Sequence, residues 1–242
     1  GQTVNSYREG ETDFADLLRQ VSAVDGIERV RFTSPYPVDF SDRVIEAMAE
    51  LDAVCPSLHL PVQSGSDPQL AAMRRGYNIG EYRELVKKMR RAIPDIALTT
   101  DIIAGFCGET EEDFQLTCQL MEEIRYDSAF MFKYSPREGT YAHKSMPDDV
   151  PEELKGERLQ KIIKIQELIS GEVNTRAVGQ RTQVLVEGIS KRRAKDGRNR
   201  YYGRSPQGKT VVFPQQATAN SLVAIDIDRN TSHTLFGNLV SS

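Results

Sequence analysis

Over the first 150 positions the apolar residues switch repeatedly between helical spacing and short continuous runs, and few folds accept a chain patterned this way. Residues 13–24 carry Phe14, Leu17, Leu18 and Val21 at helical intervals, and Val30-Arg31-Phe32-Thr33 then reads as a short strand. Ser41 is placed to cap a helix bearing Val44, Ile45, Met48 and Leu51, after which Leu58-His59-Leu60-Pro61-Val62 reads as a strand closed by Gln63-Ser64-Gly65-Ser66. Asn78 opens a helix over 79–93 that Pro94 stops, and residues 97–104 form an apolar strand of the kind buried on both faces. Thr110-Glu111-Glu112-Asp113 places acids in the first turn of a helix running to about residue 124, and Ala129-Phe130-Met131-Phe132 is a fourth strand.

Strands recurring at roughly 30-residue intervals with helices between them imply an α/β fold of parallel strands and right-handed crossovers, a barrel or a doubly wound sheet. In either architecture chemistry gathers at the carboxyl ends of the strands. Those ends are polar and Gly-rich here: Ser34-Pro35, Gln63-Ser64-Gly65, the run 105–109 and Tyr134-Ser135-Pro136. The pattern then changes. Residues 151–175 read as one long helix with Leu154, Leu159, Ile162, Ile163, Leu168, Ile169 and Val173 as its apolar positions, and it connects to a second domain. Residues 182–187, 210–213, 221–227 and 235–240 are short β-rich runs separated by Gly, Asn and Pro, which predicts a small all-β barrel. The expected division is therefore 1–150, 151–175 and 176–242.

A chain of 242 residues with 39% hydrophobic content can bury a core of this kind. Its net charge of -4 and pI near 5.6 exclude a wholly basic nucleic-acid binder, so any RNA surface must be a local patch. Cys55, Cys107 and Cys118 lack the short spacing of a zinc or iron–sulfur site, which leaves no metal ligands to propose and fits a reducing, cytoplasmic setting. No apolar run approaches the roughly 20 residues that span a bilayer, and Gly1-Gln2-Thr3 has neither a signal-peptide pattern nor an initiator Met, so a start at a domain boundary is expected.

One local patch stands out. Residues 191–204 carry Lys191, Arg192, Arg193, Lys195, Arg198, Arg200 and Arg204 with Tyr201 and Tyr202 among them and a single acid, Asp196. Cations neutralise a phosphate backbone and tyrosines stack on unpaired bases, so Arg192, Arg193, Lys195, Arg198, Arg200, Tyr201 and Arg204 are the candidate RNA-binding residues; a solvated hairpin is the alternative. The loop 105–110, with Gly105, Cys107, Gly108 and Glu109, lets backbone approach a ligand, and its acids suit an amine or hydroxyls better than phosphate; a tight turn is the alternative. Lys133 ends an apolar strand, where a desolvated lysine could form a Schiff base, although a solvated head is the commoner reading. His59 reads as a hydrogen-bonded strand residue, His143 and His233 as solvated, and Cys107 as a buried thiol with reactivity the alternative.

Taken in order, the segment from Gly1 to Tyr7, Leu58-His59-Leu60-Pro61-Val62-Gln63-Ser64-Gly65-Ser66, Met73-Arg74-Arg75-Gly76-Tyr77, Thr99-Thr100-Asp101-Ile102-Ile103 and Tyr134-Ser135-Pro136-Arg137-Glu138-Gly139-Thr140 resemble the radical S-adenosylmethionine methylthiotransferases. The β-rich tail is similar to that family's TRAM domain, and Phe32-Thr33-Ser34-Pro35 with the Leu-His-Leu-Pro stretch resembles its tRNA-modifying branch more than its ribosomal-protein branch. The resemblance implies a partial (β/α) radical SAM barrel followed by a TRAM barrel, S-adenosylmethionine and two 4Fe–4S clusters as cofactors, and transfer of a methylthio group to isopentenyl-adenosine in the tRNA anticodon stem-loop. It carries Gln2, Asn5 and Ser6 to the methionine amine, Gln63 and Ser64 to the ribose and carboxylate, and Gly105 to Glu109 to the adenine side.

Two departures from the family pattern matter. The Cys-x-x-x-Cys-x-x-Cys loop that precedes the Gly-Gln segment in the family is absent, as is the amino-terminal partner domain with the second cluster, so the chain alone is expected to be inactive. Cys107 stands where the family usually has proline. A free-standing RNA-binding module on a decayed barrel is the competing reading from another class.

Overall fold

The computed structural model describes residues 3–33, 35–191, 193, 197 and 199–240. The predicted sites Gln2, Arg192, Lys195 and Arg198 lie outside the described residues, as does Ser34. A short antiparallel pair, β1 (Arg8–Glu9) and β2 (Thr12–Asp13), leads into α1 (Phe14–Ser22), then α2 (Asp42–Glu50), β3 (Ser57–His59), α3 (Asp67–Ala72) and α4 (Ile79–Ala92). Next come β4 (Ala97–Ala104), α5 (Glu111–Ile124), β5 (Ser128–Lys133), α6 (Tyr141–Ser145) and α7 (Glu152–Thr175). Five strands follow: β6 (Arg181–Ile189), β7 (Tyr201–Arg204), β8 (Thr210–Phe213), β9 (Leu222–Asn230) and β10 (Thr234–Leu239).

The helices begin where side chains can satisfy their free N–H groups. Asp13 with Asp16, Asn78 with Glu81 and Thr110 with Asp113 form capping boxes, and Ser41 and Ser66 accept from the third residue of their helices. Strands β3, β4 and β5 lie side by side and parallel, and the helices bury Leu58, Leu98, Ile102, Phe114, Met121 and Tyr82 against one face of this sheet.

The expected first strand is reduced to a single parallel bridge between Val30 and Val54. The ladder stops because Pro56 has no N–H, and the N–H of Ser57 is taken by the Cys55 carbonyl at 2.7 Å. The second strand is also shorter than predicted, since Pro61 interrupts it. Thr100 repairs the gap: its buried hydroxyl donates to the Leu60 carbonyl and accepts from the Val62 N–H, both at 2.9 Å.

Strands β6 to β10 close into a barrel in the order β10-β8-β7-β6-β9, with a core of its own made of Val184, Val186, Val211, Phe213, Ile225, Ile227 and Leu235. The predicted runs 182–187, 210–213, 221–227 and 235–240 become β6, β8, β9 and β10. Strand β7, which was read only as part of a basic loop, is the fifth. The barrel sits at the amino-terminal ends of the parallel strands. There Arg29 donates to the carbonyls of Arg204 (2.7 Å) and Gln183 (3.0 Å), Arg31 to Ser205 (2.6 Å), and Lys209 pairs with Asp127, the residue before β5, at 2.6 Å. The carboxyl ends of the strands face away from this junction and stay open.

Replacing Thr100 by valine keeps the shape but leaves the buried Val62 N–H without an acceptor and the Leu60 carbonyl with the Tyr82 hydroxyl as its remaining donor. A loss of about 2 kcal/mol in urea unfolding is expected, with the m-value unchanged.

Candidate functional site

The carboxyl ends of β4 and β5, the turn after β3 and helix α6 surround a cleft of about 620 Å³. Gln63, Asp101, Ile103, Phe106, Phe132 and Lys133 supply its sheet side, and Met73, Arg74, Arg75, Arg137 and Tyr141 its outer wall. The cleft is where an α/β fold places its chemistry. Four cations, Arg74, Arg75, Lys133 and Arg137, face one acid, Asp101, although the chain as a whole is acidic.

Each wall is held in place by contacts that can be traced. Gln63 adopts φ 74° and pairs with β4 through Ile103 N–H to Gln63 O (2.9 Å) and Gln63 N–H to Asp101 O (2.8 Å). Immediately after it, Ser64 is fully buried against Thr117 of α5 at 3.2 Å, the Gly65 N–H donates to the Thr117 hydroxyl at 2.9 Å, and Ser66 donates to Asp113 at 2.5 Å. A Cβ on Gly65 would meet the Leu116 carbonyl oxygen at 2.5 Å, so this close approach of loop to helix admits glycine only. Burial acts to raise the Asp113 carboxyl, but the hydrogen bonds from Ser66 and Thr110 outweigh it and hold the group below the usual carboxylate range.

The loop after β4 is fixed in the same manner from the other side. Gly105 has φ 74°, and its N–H donates to the Glu109 carboxylate at 2.7 Å. Arg158 of α7, itself buried, donates to that carboxylate at 2.8 Å and to the Glu109 carbonyl at 3.0 Å. Lys155 passes so close that a Cβ on Gly105 would lie 2.3 Å from its Cγ. Burial pushes the Glu109 carboxyl up, opposed by the Gly105 N–H and Arg158.

Of the sequence-predicted cofactor residues within the described chain, Gln63 lines the cleft, as does Phe106 from the predicted run 105–109. Asn5 is buried, and its amide clips both backbone groups of Tyr36 at 2.8 Å. Ser6 turns back on Thr3, and Ser64, Gly105 and Glu109 lie in the loops that form the walls. Lys133 reaches the cleft but is half-exposed and ion-paired with Glu152, unlike the desolvated lysine that Schiff-base chemistry requires. His59 bonds Thr99 at 2.9 Å and lies 3.4 Å from Asp101, as a hydrogen-bonded strand residue should.

In the basic segment, Tyr201 packs on the barrel core beside Phe213, and Arg204 is engaged by Glu187 and the Gly208 carbonyl. Arg193 is exposed and Arg200 half-buried. The sequence reading passed over Arg74, Arg75 and Arg137. Their signal was available in Met73-Arg74-Arg75-Gly76-Tyr77 and Tyr134-Ser135-Pro136-Arg137, which follow the second and fourth strands. Arg75 Nε is buried with no acceptor among the described residues, and the Arg74 guanidinium stacks 3.4 Å from the Tyr141 ring centre. Burial pushes the Tyr134 phenol up to about 12, so it enters the cleft neutral.

The model of the radical SAM superfamily matches residues 1–121, half of the chain. The chain belongs to the radical SAM superfamily. The likeness to its methylthiotransferases is borne out by curated relatives named tRNA-2-methylthio-N(6)-dimethylallyladenosine synthase. The relative from Porphyromonas gingivalis is 46% identical over 100% of this chain and 52% of its own length; that from Phocaeicola vulgatus is 49% identical over 98% and 52%. A third, from Methylacidiphilum infernorum, is 43% identical over 98% and 51%. The chain thus spans about half the length of the curated relatives it matches. A solved structure of the radical SAM enzyme coproporphyrinogen III oxidase from Escherichia coli aligns with a TM-score of 0.48 at 15% identity, over 81% of this chain and 45% of that one. No helix among the described residues is long and apolar enough to cross a membrane.

Replacing Arg158 by methionine would leave the Glu109 carboxylate buried and unpaired. A loss of about 3 kcal/mol in denaturant unfolding is expected, with part of it recovered in the Glu109→Gln, Arg158→Met double variant.

Proposed function

We propose that this chain is the S-adenosylmethionine- and RNA-handling part of a tRNA methylthiotransferase, acting on isopentenyl-adenosine beside the anticodon. The reading rests on identity of 42–49% to synthases of that name along essentially the whole chain, together with the cationic cleft at the carboxyl ends of β4 and β5. Residues 1–150 would form the catalytic partial barrel, 151–175 the connecting helix, and 176–242 the RNA-binding barrel of TRAM type.

The residues present fit S-adenosylmethionine. Arg75 has a buried N–H without an acceptor at the cleft, suited to a carboxylate, and Asp101 is an acceptor suited to an amine. Phe106 and the neutral Tyr134 offer apolar surface to a nucleoside, and Gln63 offers an amide. When bound and reduced, S-adenosylmethionine supplies a 5′-deoxyadenosyl radical; the chain's part is to orient its two ends and keep the pocket walls rigid. A 4Fe–4S cluster does not fit this donor set. The cysteines Cys55, Cys107 and Cys118 are each buried, and among the described residues no group of three or more His, Cys, Asp or Glu is placed to hold a metal ion. We assign the ligands of both clusters to polypeptide outside these 242 residues, in the part over which the relatives extend beyond the match, and place the assembled enzyme in the cytoplasm.

Arg74, Lys133 and Arg137 of the cleft and the cations of residues 191–204 would both face RNA phosphates. Binding of the anticodon stem-loop by the chain, measured across a salt series, should show a log–log slope that falls by between about two and four when Arg192, Arg193, Arg198 and Arg200 are changed together to alanine. An unchanged slope would remove the basic segment from the RNA surface. In the full-length polypeptide, reconstituted with iron and sulfide, nucleoside mass spectrometry should detect the methylthio product on prenylated tRNA, and this chain alone should yield none.

A further inference from the structure

The open face of the parallel sheet is unevenly built. Register pairs His59 with Thr99, Asp101 with Phe130, and Ile103 with Phe132, so these six side chains share the face turned away from the helices. Leu58, Leu98, Thr100, Ile102 and Ala104 alternate with them and are buried on the other side. On the open face Phe130 is 57% and Phe132 53% exposed, an unusual state for two neighbouring phenylalanines on one strand. Phe130 is braced rather than loose: the His59 ring meets it edge to face with centres 5.7 Å apart, and His59 is fixed in turn by Thr99 and Asp101. Phe132 continues this aromatic strip into the cleft, where Ile103 lies beside it and Lys133 and Arg137 stand near.

We propose that Phe130 and Phe132, braced by His59, form the seat for the prenylated base and read its dimethylallyl group. This rests on the tRNA-directed reading given above. The chemistry is complementary on both counts: an unstacked adenine with five apolar carbons gains from an aromatic wall, and the phosphates flanking it gain from Arg74, Lys133 and Arg137. An unprenylated adenosine would leave part of that wall wet. The strip would therefore select RNA that has already passed through a prenyl-transferring reaction.

The test is binding of two anticodon stem-loops, identical except for the dimethylallyl group, to the full-length polypeptide that carries this chain. The wild type should prefer the prenylated RNA by about tenfold, the equivalent of burying one to two methylene groups. In Phe130→Ala, Phe132→Ala the preference should fall to about onefold while affinity for unmodified RNA stays within about twofold, because the phosphate contacts are untouched. Each single variant should lose about threefold of the preference, and these carry the test should the double variant not fold. Retention of S-adenosylmethionine, followed by equilibrium dialysis, should not change in Phe130→Ala, since Phe130 lies outside the cleft lining. A preference that survives the double substitution overturns the proposal. So does loss of S-adenosylmethionine retention with the RNA preference intact, which would give the strip to the cofactor. A wild type that binds both RNAs equally also overturns it, leaving the tRNA-directed reading in place; a wild type that binds neither removes that reading as well.

Discussion

The buried polar stripe of helix α7 is the constraint on which the rest of the structure depends. Lys155, Arg158, Ile162, Gln166, Ser170 and Asn174 follow one another at intervals of three or four residues, and all six are buried. Five of them are polar, and all five meet backbone or carboxylate groups in different parts of the molecule, Lys155 pairing with Asp148. Arg158 holds the loop after β4, Gln166 donates to the Tyr126 carbonyl at 2.8 Å and Ser170 to the Asp127 carbonyl at 3.0 Å. Asn174 donates to the Thr231 and Ser232 carbonyls of the β-barrel at 2.9 and 3.0 Å. One helix thus fixes a wall of the cleft, the entry to β5 and the position of the barrel, and the buried bonds of Arg158 and Gln166 are expensive to break because the partner left behind has no water to turn to.

That arrangement gives the cleft its chemical character. The proposed function requires the cleft to keep its walls still, and here the walls are loops rather than regular elements. Ser64, Gly65 and Ser66 are bolted to α5, and Gly105 and Glu109 to α7, so the residues that face the cleft project from a rigid frame. Of the cations around it, Lys133 pairs with Glu152 and Arg74 stacks on Tyr141, while Arg75 Nε has no acceptor among the described residues.

Local signals in the sequence reported the fold well wherever they were local in origin. Ser41, Asn78 and Thr110 start helices because each satisfies N–H groups within three residues, and the apolar run 97–104 is a strand as expected, although only one of its faces is buried and Thr99, Asp101 and Ile103 lie half-buried on the other. The misses have non-local causes. Val30 pairs for one bridge only, since Pro56 and the turn at Cys55 remove the partner groups; Tyr201 to Arg204 looked like a basic loop, but β6 and β8 recruit it as a barrel strand. Helix α7 is the most instructive case. Its hydropathy pointed to Leu168, which is 66% exposed, whereas the helix buries lysine, arginine, glutamine and asparagine because carbonyls and carboxylates await them. The same blindness affected the site: Ser64 and Glu109 were legible as special, but only the packing of α5 and α7 shows that their polar groups are turned to the frame.

The central claim, that α7 locks the cleft wall through Arg158, Glu109 and Gly105, is tested most directly by hydrogen exchange at the Gly105 amide. If the claim holds, this loop amide exchanges as slowly as the amides of β4, through global unfolding, and the Arg158→Met variant speeds it selectively while β4 stays protected. Exchange at the rate of an ordinary surface loop in the wild type, or no selective change in the variant, would contradict the account.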